Sequence, residues 1–308
     1  MKKLIAAIVL SLAASTFGQA TTQPTAIDQI IDRVPETLVG DAIKSYDVIA
    51  TIGSNQSPII IRVRKTEAGK SSLYATCTKR HVPIFFSSDH EAFQYDPAMG
   101  VLRRFHNANV MVAVRNKDDK FTTDFNLHFQ EKAATRPVDP IEPKIDLRSL
   151  MASTNENVTM KTVGEFQVIT GHTRRGNPAD FWIDAKRPFP LAGLALYIGE
   201  EPFFTFARIE INRPIDEKNM TMPSDQELSA ILPIKEVDGI FKLAAWEAGV
   251  ALSMTYEMAI EDPKQRPAVE AKLGKIDWEK RIAIDAEVNR QLIKLIGEQI
   301  PPDGLSKK

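Results

Sequence analysis

The chain has 308 residues, 43% of them hydrophobic, with 39 basic side chains against 40 acidic ones and a formal net charge of −1. That length and apolar content suit one large domain, or one domain with an appendage, and exclude disorder as the default state. The near-neutral balance leaves no global field for nucleic acid or an acidic membrane, and a single cysteine, Cys77, excludes an internal disulfide.

The first predicted element is a secretory signal over residues 1–20. Lys2 and Lys3 supply the positive start, Leu4 to Ala14 is apolar, and Gly18-Gln19-Ala20 places small residues where a signal peptidase cuts. The apolar run is about half the ~20 residues of a membrane-spanning helix, and no later stretch stays uncharged that long. The expectation is a periplasmic or secreted mature chain, soluble after cleavage near Ala20. No Cys stands at the cleavage point to carry a lipid anchor.

Thr25-Ala26-Ile27-Asp28 then opens a short amphipathic helix with Ile30, Ile31 and Val34 at helical spacing. From Ser45 the texture turns to β. Tyr46 to Ile52, Pro58 to Val63, Ser72 to Thr78 and Pro83 to Phe86 are short runs rich in Val, Ile, Phe and Thr, parted by Gly53-Ser54-Asn55 and Ala68-Gly69-Lys70. The clearest strand is 121–129, where Phe121, Phe125, Leu127 and Phe129 point one way and Thr122, Asp124, Asn126 and His128 the other. Such a sheet has one greasy face and one wet face.

Pro137, Pro140 and Pro143 mark a linker, since proline cannot donate to a ladder, and a short helix is expected around Leu147 to Met151. Strands resume at Val158 to Val163, Glu165 to Thr173, Asp180 to Asp184, Leu191 to Ile198 and Phe203 to Ile211. Gly199-Glu200-Glu201-Pro202 makes the last two a hairpin. The remainder reads as a helical hairpin. Ser224-Asp225-Gln226-Glu227 is a capping box, and Ile240, Leu243, Val250, Met254 and Met258 fit one helical face. A second helix runs from Asp277 to about Gln299, with Ile282, Leu292, Leu295 and Ile296 on its apolar side.

Three segments carry a family resemblance. Glu91-Ala92-Phe93-Gln94-Tyr95-Asp96-Pro97 before Ala98-Met99-Gly100-Val101, Phe181-Trp182-Ile183-Asp184 before Phe189-Pro190-Leu191, and Ile209-Glu210-Ile211-Asn212 before Pro214-Ile215-Asp216 and Met222-Pro223 resemble periplasmic lipoprotein carriers of the LolA/LolB-like superfamily. The resemblance covers about Ile27 to Pro223 and leaves the helical tail outside. It implies an α+β fold in which a strongly curved antiparallel half-barrel sheet wraps around helices and encloses an apolar cavity that takes acyl chains. It carries over no catalytic residue and no cofactor. The implied division is a signal peptide at 1–20, a carrier-like domain at 21–223 and a C-terminal helical extension at 224–308.

The physics of an aromatic concave face agrees with such a pocket. Candidate cavity-lining residues are Phe121, Phe125, Leu127, Phe129, Trp182, Phe204 and Phe206. The same aromatics serve equally as plain core, filled by the protein's own helices, with the C-terminal hairpin as plug. The partner would be an apolar ligand or lipid-modified protein in the first case, and another envelope protein in the second.

Catalytic and metal chemistry find little support. Cys77 shares the apolar side of its strand with Leu73 and Ala75, and stands about 13 Å from His81 at ~3.3 Å per residue, too far to share a metal. Ser87-Ser88-Asp89-His90-Glu91 gathers acid–base residue types but reads first as a turn. His106, His128 and His172 are scattered, and no phosphate loop, nucleophile elbow or calcium loop occurs. Arg62 with Arg64, and more loosely Arg103 with His106, make small basic patches expected on a solvated sheet face or against an anionic headgroup. An enzyme would need these scattered His and acidic residues to converge in a cleft.

Overall fold

Strands make up most of the described residues between Ser45 and Ile211 of the computed structural model, and helices dominate the described residues beyond Ile211. The structure describes residues 26–34, 41–52, 57–67, 69–76, 85–117, 120–129, 156–172 and 178–296. The expected signal peptide, the proline linker, the helix near 147–151, Cys77 and His81 lie outside them.

Two antiparallel meanders build a curved, unclosed, mostly antiparallel sheet of 12 strands. The first comprises β1 (Ser45–Ile52), β2 (Ser57–Thr66), β3 (Gly69–Thr76), β4 (Phe85–Ser88), β5 (Glu91–Asp96) and β6 (Val101–His106). The second comprises β9 (Glu156–Val163), β10 (Phe166–His172), β11 (Pro178–Ile183), β12 (Leu191–Ile198) and β13 (Glu201–Ile211). They join where β1 pairs with β13. Between them in sequence, β7 (Ala108–Lys117) and β8 (Lys120–Phe129) form a separate hairpin that lies against β4 and β5. The fold class is α+β, as expected, and the strands anticipated from sequence appear within a few residues of their expected bounds; β5 and β6 fall where only the family resemblance pointed, and β7 and β14 were not anticipated.

Turn chemistry explains the joints. The Asp96 carboxylate accepts from the backbone N–H groups of Ala98 and Met99 at 3.0 and 3.1 Å, and Gly100 takes a left-handed φ of 64°, which closes the β5–β6 hairpin. Gly199, at φ 63°, does the same between β12 and β13.

Strand alternation divides the buried side chains between two faces. Ile59, Ile61, Tyr74 and Ala92 belong to the larger core, together with Val48, Phe181, Phe204 and Phe206. Their chain neighbours Ile60, Leu73, Ala75 and Phe93 belong to a second core on the opposite face. The first core is capped by Val34 just after α1 (Ala26–Arg33) and by Ala108 and Val110 of β7. The second is covered by the C-terminal helices.

The tail is more divided than a helical hairpin. The Ser224–Glu227 capping box is present, with both reciprocal hydrogen bonds, and starts α2 (Asp225–Ile231). That helix stops because Pro233 forces Leu232 out of the helical region, to φ −146° and ψ 145°. The chain then adds β14 (Ile234–Glu236), parallel to β6, at the edge of the sheet. Three further α-helices follow among the described residues: α3 (Lys242–Glu261), α4 (Arg266–Leu273) and α5 (Trp278–Ile296).

The face expected for the first long helix is corrected. Ile240 precedes α3 and is 91% exposed, and Leu243 and Met258 also face solvent. The buried face is Trp246, Gly249, Ser253, Tyr256 and Ala259, at 3–4 residue spacing. It includes a Gly and a Ser because α3 lies so close to the sheet. Trp246 enters the first core, edge-on to Phe105 at 5.5 Å, while Tyr256 and Ala259 enter the second, so α3 links both.

Candidate functional site

The first face of the sheet carries an apolar row across six strands. Ile59 pairs with Ala50, Ala50 with Phe206, Phe206 with Leu194, Leu194 with Phe181, and Phe181 with Ile169. At about 4.8 Å per strand this row is roughly 24 Å wide. A β-bulge between Ile49 and Ala50 keeps it aligned, since Ile49 faces Arg208 while Ala50 faces Phe206, with one residue skipped. Ile61, Val48 and Ile209 form a neighbouring row on the same face.

The structure divides the seven sequence-derived candidates. Phe204 and Phe206 stack edge to face at 4.9 Å within the first core, and Leu127, opposite Val110 in the β7–β8 hairpin, belongs to that core too. Trp182 does not join them. It pairs with Val168 and Gly193 and sits in a small third cluster with Ala192 and Ala195, on the reverse of the sheet. The side chains of Phe121, Phe125 and Phe129 lie outside the described residues, though their strand, β8, pairs with β7 as a hairpin.

Charged side chains brace the sheet in ways the basic patches did not foretell. Arg62, expected in solvent, is 0% exposed, with Asp47 at 3.4 Å; Asp47 also takes Arg208 at 2.7 Å. Arg64 reaches Glu217 through both terminal nitrogens, at 2.5 and 3.0 Å. Arg104 lies 4.9 Å over the Phe93 ring and binds Asp225 of α2, Glu236 of β14 at 3.2 Å and Glu91 at 3.4 Å. His106 adds a 2.8 Å contact to Glu236. Arg103 pairs with Asp96 and donates to the Ala245 carbonyl at 3.1 Å. The tail is therefore fastened to β6 by charge as well as by strand pairing.

A polar knot missed in the sequence lies inside the second core. Asp285 of α5 is 0% exposed and accepts from the Tyr95 and Tyr256 hydroxyls, the latter at 2.9 Å, with Arg281 at 3.7 Å. Burial first, and then the Asp285 charge, push both phenols well above the usual tyrosine range. Spacing could have found it: Trp278, Asp285, Val288 and Leu292 succeed one another by seven, three and four residues, which sets the carboxylate in an apolar helical stripe.

The polar run from Ser87 to Glu91 forms the β4–β5 turn. The Ser88 hydroxyl accepts from the His90 N–H at 3.2 Å, and the buried Ser87 hydroxyl accepts from the Val110 N–H at 3.1 Å, tying β7 to β4. Asp89 is raised by burial, which hydrogen bonding to Ser72 opposes. Among the described residues no three metal-ligating side chains gather, and no helix is long and apolar enough to cross a membrane.

No family model matches the chain, and no curated protein matches it. Solved structures give distant superpositions. An uncharacterized conserved protein from Thermus thermophilus aligns at 9% identity and a TM-score of 0.29, over 68% of this chain and 98% of that one. The lipoprotein LppX of Mycobacterium tuberculosis aligns at 12% identity and a TM-score of 0.30, over 61% and 97% respectively. Similarity at this level leaves the functional reading to the chain's own residues.

Proposed function

We propose that this is a non-enzymatic protein of the cell envelope that holds an apolar ligand, an acyl chain or a lipid-modified protein, against the first face of its curved sheet. The observation that carries the reading is the apolar row from Ile59 to Ile169, continuous across six strands and broken by no charged side chain. Each methylene laid against it would contribute about 0.8 kcal/mol. Phe204, Phe206 and Leu127 would contact the chain, joined by Phe121, Phe125 and Phe129 of β8. Residues 21–223 would form the binding unit, with 224–308 as an extension that braces its reverse face and reaches the first core through Trp246.

One observation favours a second reading. Phe204 and Phe206 are 2% and 1% exposed, so the protein's own side chains fill much of the space around them. A sealed sheet that engages another envelope protein through its outer surface accounts for that burial.

Organic extraction of the intact chain, purified from an expressing envelope, followed by mass spectrometry tests the choice. Stoichiometric lipid is the expected result. A clean extract, together with no uptake of an added fluorescent fatty acid, leaves the sealed module.

A further inference from the structure

A cavity of about 400 Å³ opens between the tip of the β5–β6 hairpin and the corner where α4 meets α5. Ala98, Leu273 and Ile284 give it apolar wall, and Lys275, Lys280 and Arg281 give it three cations. The lone carboxylate in that lining, Asp277, is engaged at the start of α5, where it accepts from the Lys280 N–H at 3.2 Å. Arg281 is held toward the protein interior by the buried Asp285, its Nη2 is itself buried, and the guanidinium lends the cavity charge from behind the exposed Lys275 and Lys280. Three cations around one mouth favour an anion there.

The cavity does not end there. A second one of about 470 Å³ shares Lys280 and Ile284 with it and continues between α2 and α5, past Ile231 and Ala283, as far as Gln291. Lys280 to Gln291 is about 17 Å along a helix axis. The two together make a trough that is cationic at one end and mostly apolar along its length, where the one carboxylate, Glu287, is engaged by Arg290 and Gln291.

We infer that this trough binds a single-chain anionic amphiphile of the fatty-acid type. Its carboxylate would sit among Lys275, Lys280 and Arg281, and its chain would run over Ile284 and Ile231. Charge complementarity selects the head group, and the adjoining apolar walls select the tail. The inference does not rest on the sheet-face reading, because the trough is built by the C-terminal helices and a hairpin tip.

The test uses the intact chain from Thr21 onward and dodecanoate carrying a terminal photoreactive diazirine. Cross-links mapped by mass spectrometry are expected in the peptides holding Ile231 and Ile284. In calorimetric titration, the exposed double change Lys275→Glu and Lys280→Glu should raise the Kd for dodecanoate by roughly tenfold or more, with the melting temperature and any affinity for neutral dodecanol unchanged. An unchanged Kd, or no dodecanoate binding, overturns the inference. Cross-links confined to β1, β12 and β13 overturn it as well while upholding a ligand on the sheet, whereas cross-links confined to the trough uphold it against the sheet-face reading.

Discussion

Gly249→Ala sets two effects of opposite sign against each other. In the middle of α3, exchanging Gly for Ala should strengthen the helix by about 1 kcal/mol. A Cβ at Gly249, however, would occupy the space of the Gln94 side-chain amide. That amide has little freedom to yield, because Gln94 is fully buried and its Nε2 donates to the Trp246 carbonyl at 3.0 Å. Overpacking costs about 1–3 kcal/mol, and losing a buried hydrogen bond costs a similar amount, so against the helix gain the expected net loss is about 1–5 kcal/mol. Urea unfolding at constant m-value measures it. The double variant with Gln94→Ala should be less destabilised than the two single changes added together, since each relieves the other. A Gly249→Ala protein as stable as the parent, or more so, would show that α3 is not seated on β5 and would refute the packing argument.

Ser224→Ala removes the hydroxyl that accepts from the Glu227 N–H, leaving only the half of the α2 capping box that the Ser224 backbone N–H donates, and should cost about 1 kcal/mol, read from the same unfolding curves. Arg104→Met keeps contact with Phe93 but frees Asp225, Glu236 and Glu91; a loss of about 1–2 kcal/mol is expected, with hydrogen exchange accelerating first in residues 225–236. Because the Arg104 hydrogen bond holds the Asp225 carboxyl below its usual range, that contribution is present above the ordinary aspartate pKa and lost as pH falls through the lowered one. Tyr95 and Tyr256 behave oppositely. Their raised pKa values leave stability intact below about pH 10 and erode it as pH rises further, since only the unfolded chain releases those protons. Tyrosinate absorbance should therefore appear for these residues only with unfolding, and its appearance in the folded chain would contradict the buried geometry.

Much of the sheet was legible because its strands obey a two-residue rhythm and its turns carry Gly and Pro. Leu191 to Ile198 appears with its expected bounds, and Gly199 turns the chain as its position demanded. Legibility failed where tertiary contacts override the pattern. Ile240, Leu243 and Met258 look like a core face by hydrophobicity, yet Gly249 and Ser253 face inward because close approach to the sheet matters more there than side-chain bulk. Arg62 was assigned to solvent because charge is usually exposed, and only the pairing of β1 with β2 and β13 brings Asp47 beside it and Arg208 onto the same carboxylate. The candidate aromatics shared a composition but not a face. Trp182 comes one residue after Phe181, and one residue in a strand is the thickness of the sheet.

The seam between β1 and β13 also governs how the molecule can assemble. Each meander can zip from its own turns, but every pair across the seam, such as Ile49 with Arg208, joins positions roughly 160 residues apart, and closing so large a loop is a slow event. While residues 201–211 are still to arrive, the outer edge of β1 is an open template of unpaired N–H and C=O groups. At high concentration the β13 of a second molecule fits that template as well as the chain's own. Exchange of one meander between two copies, giving an interlocked dimer with every native pairing intact, is the misassembly this topology invites.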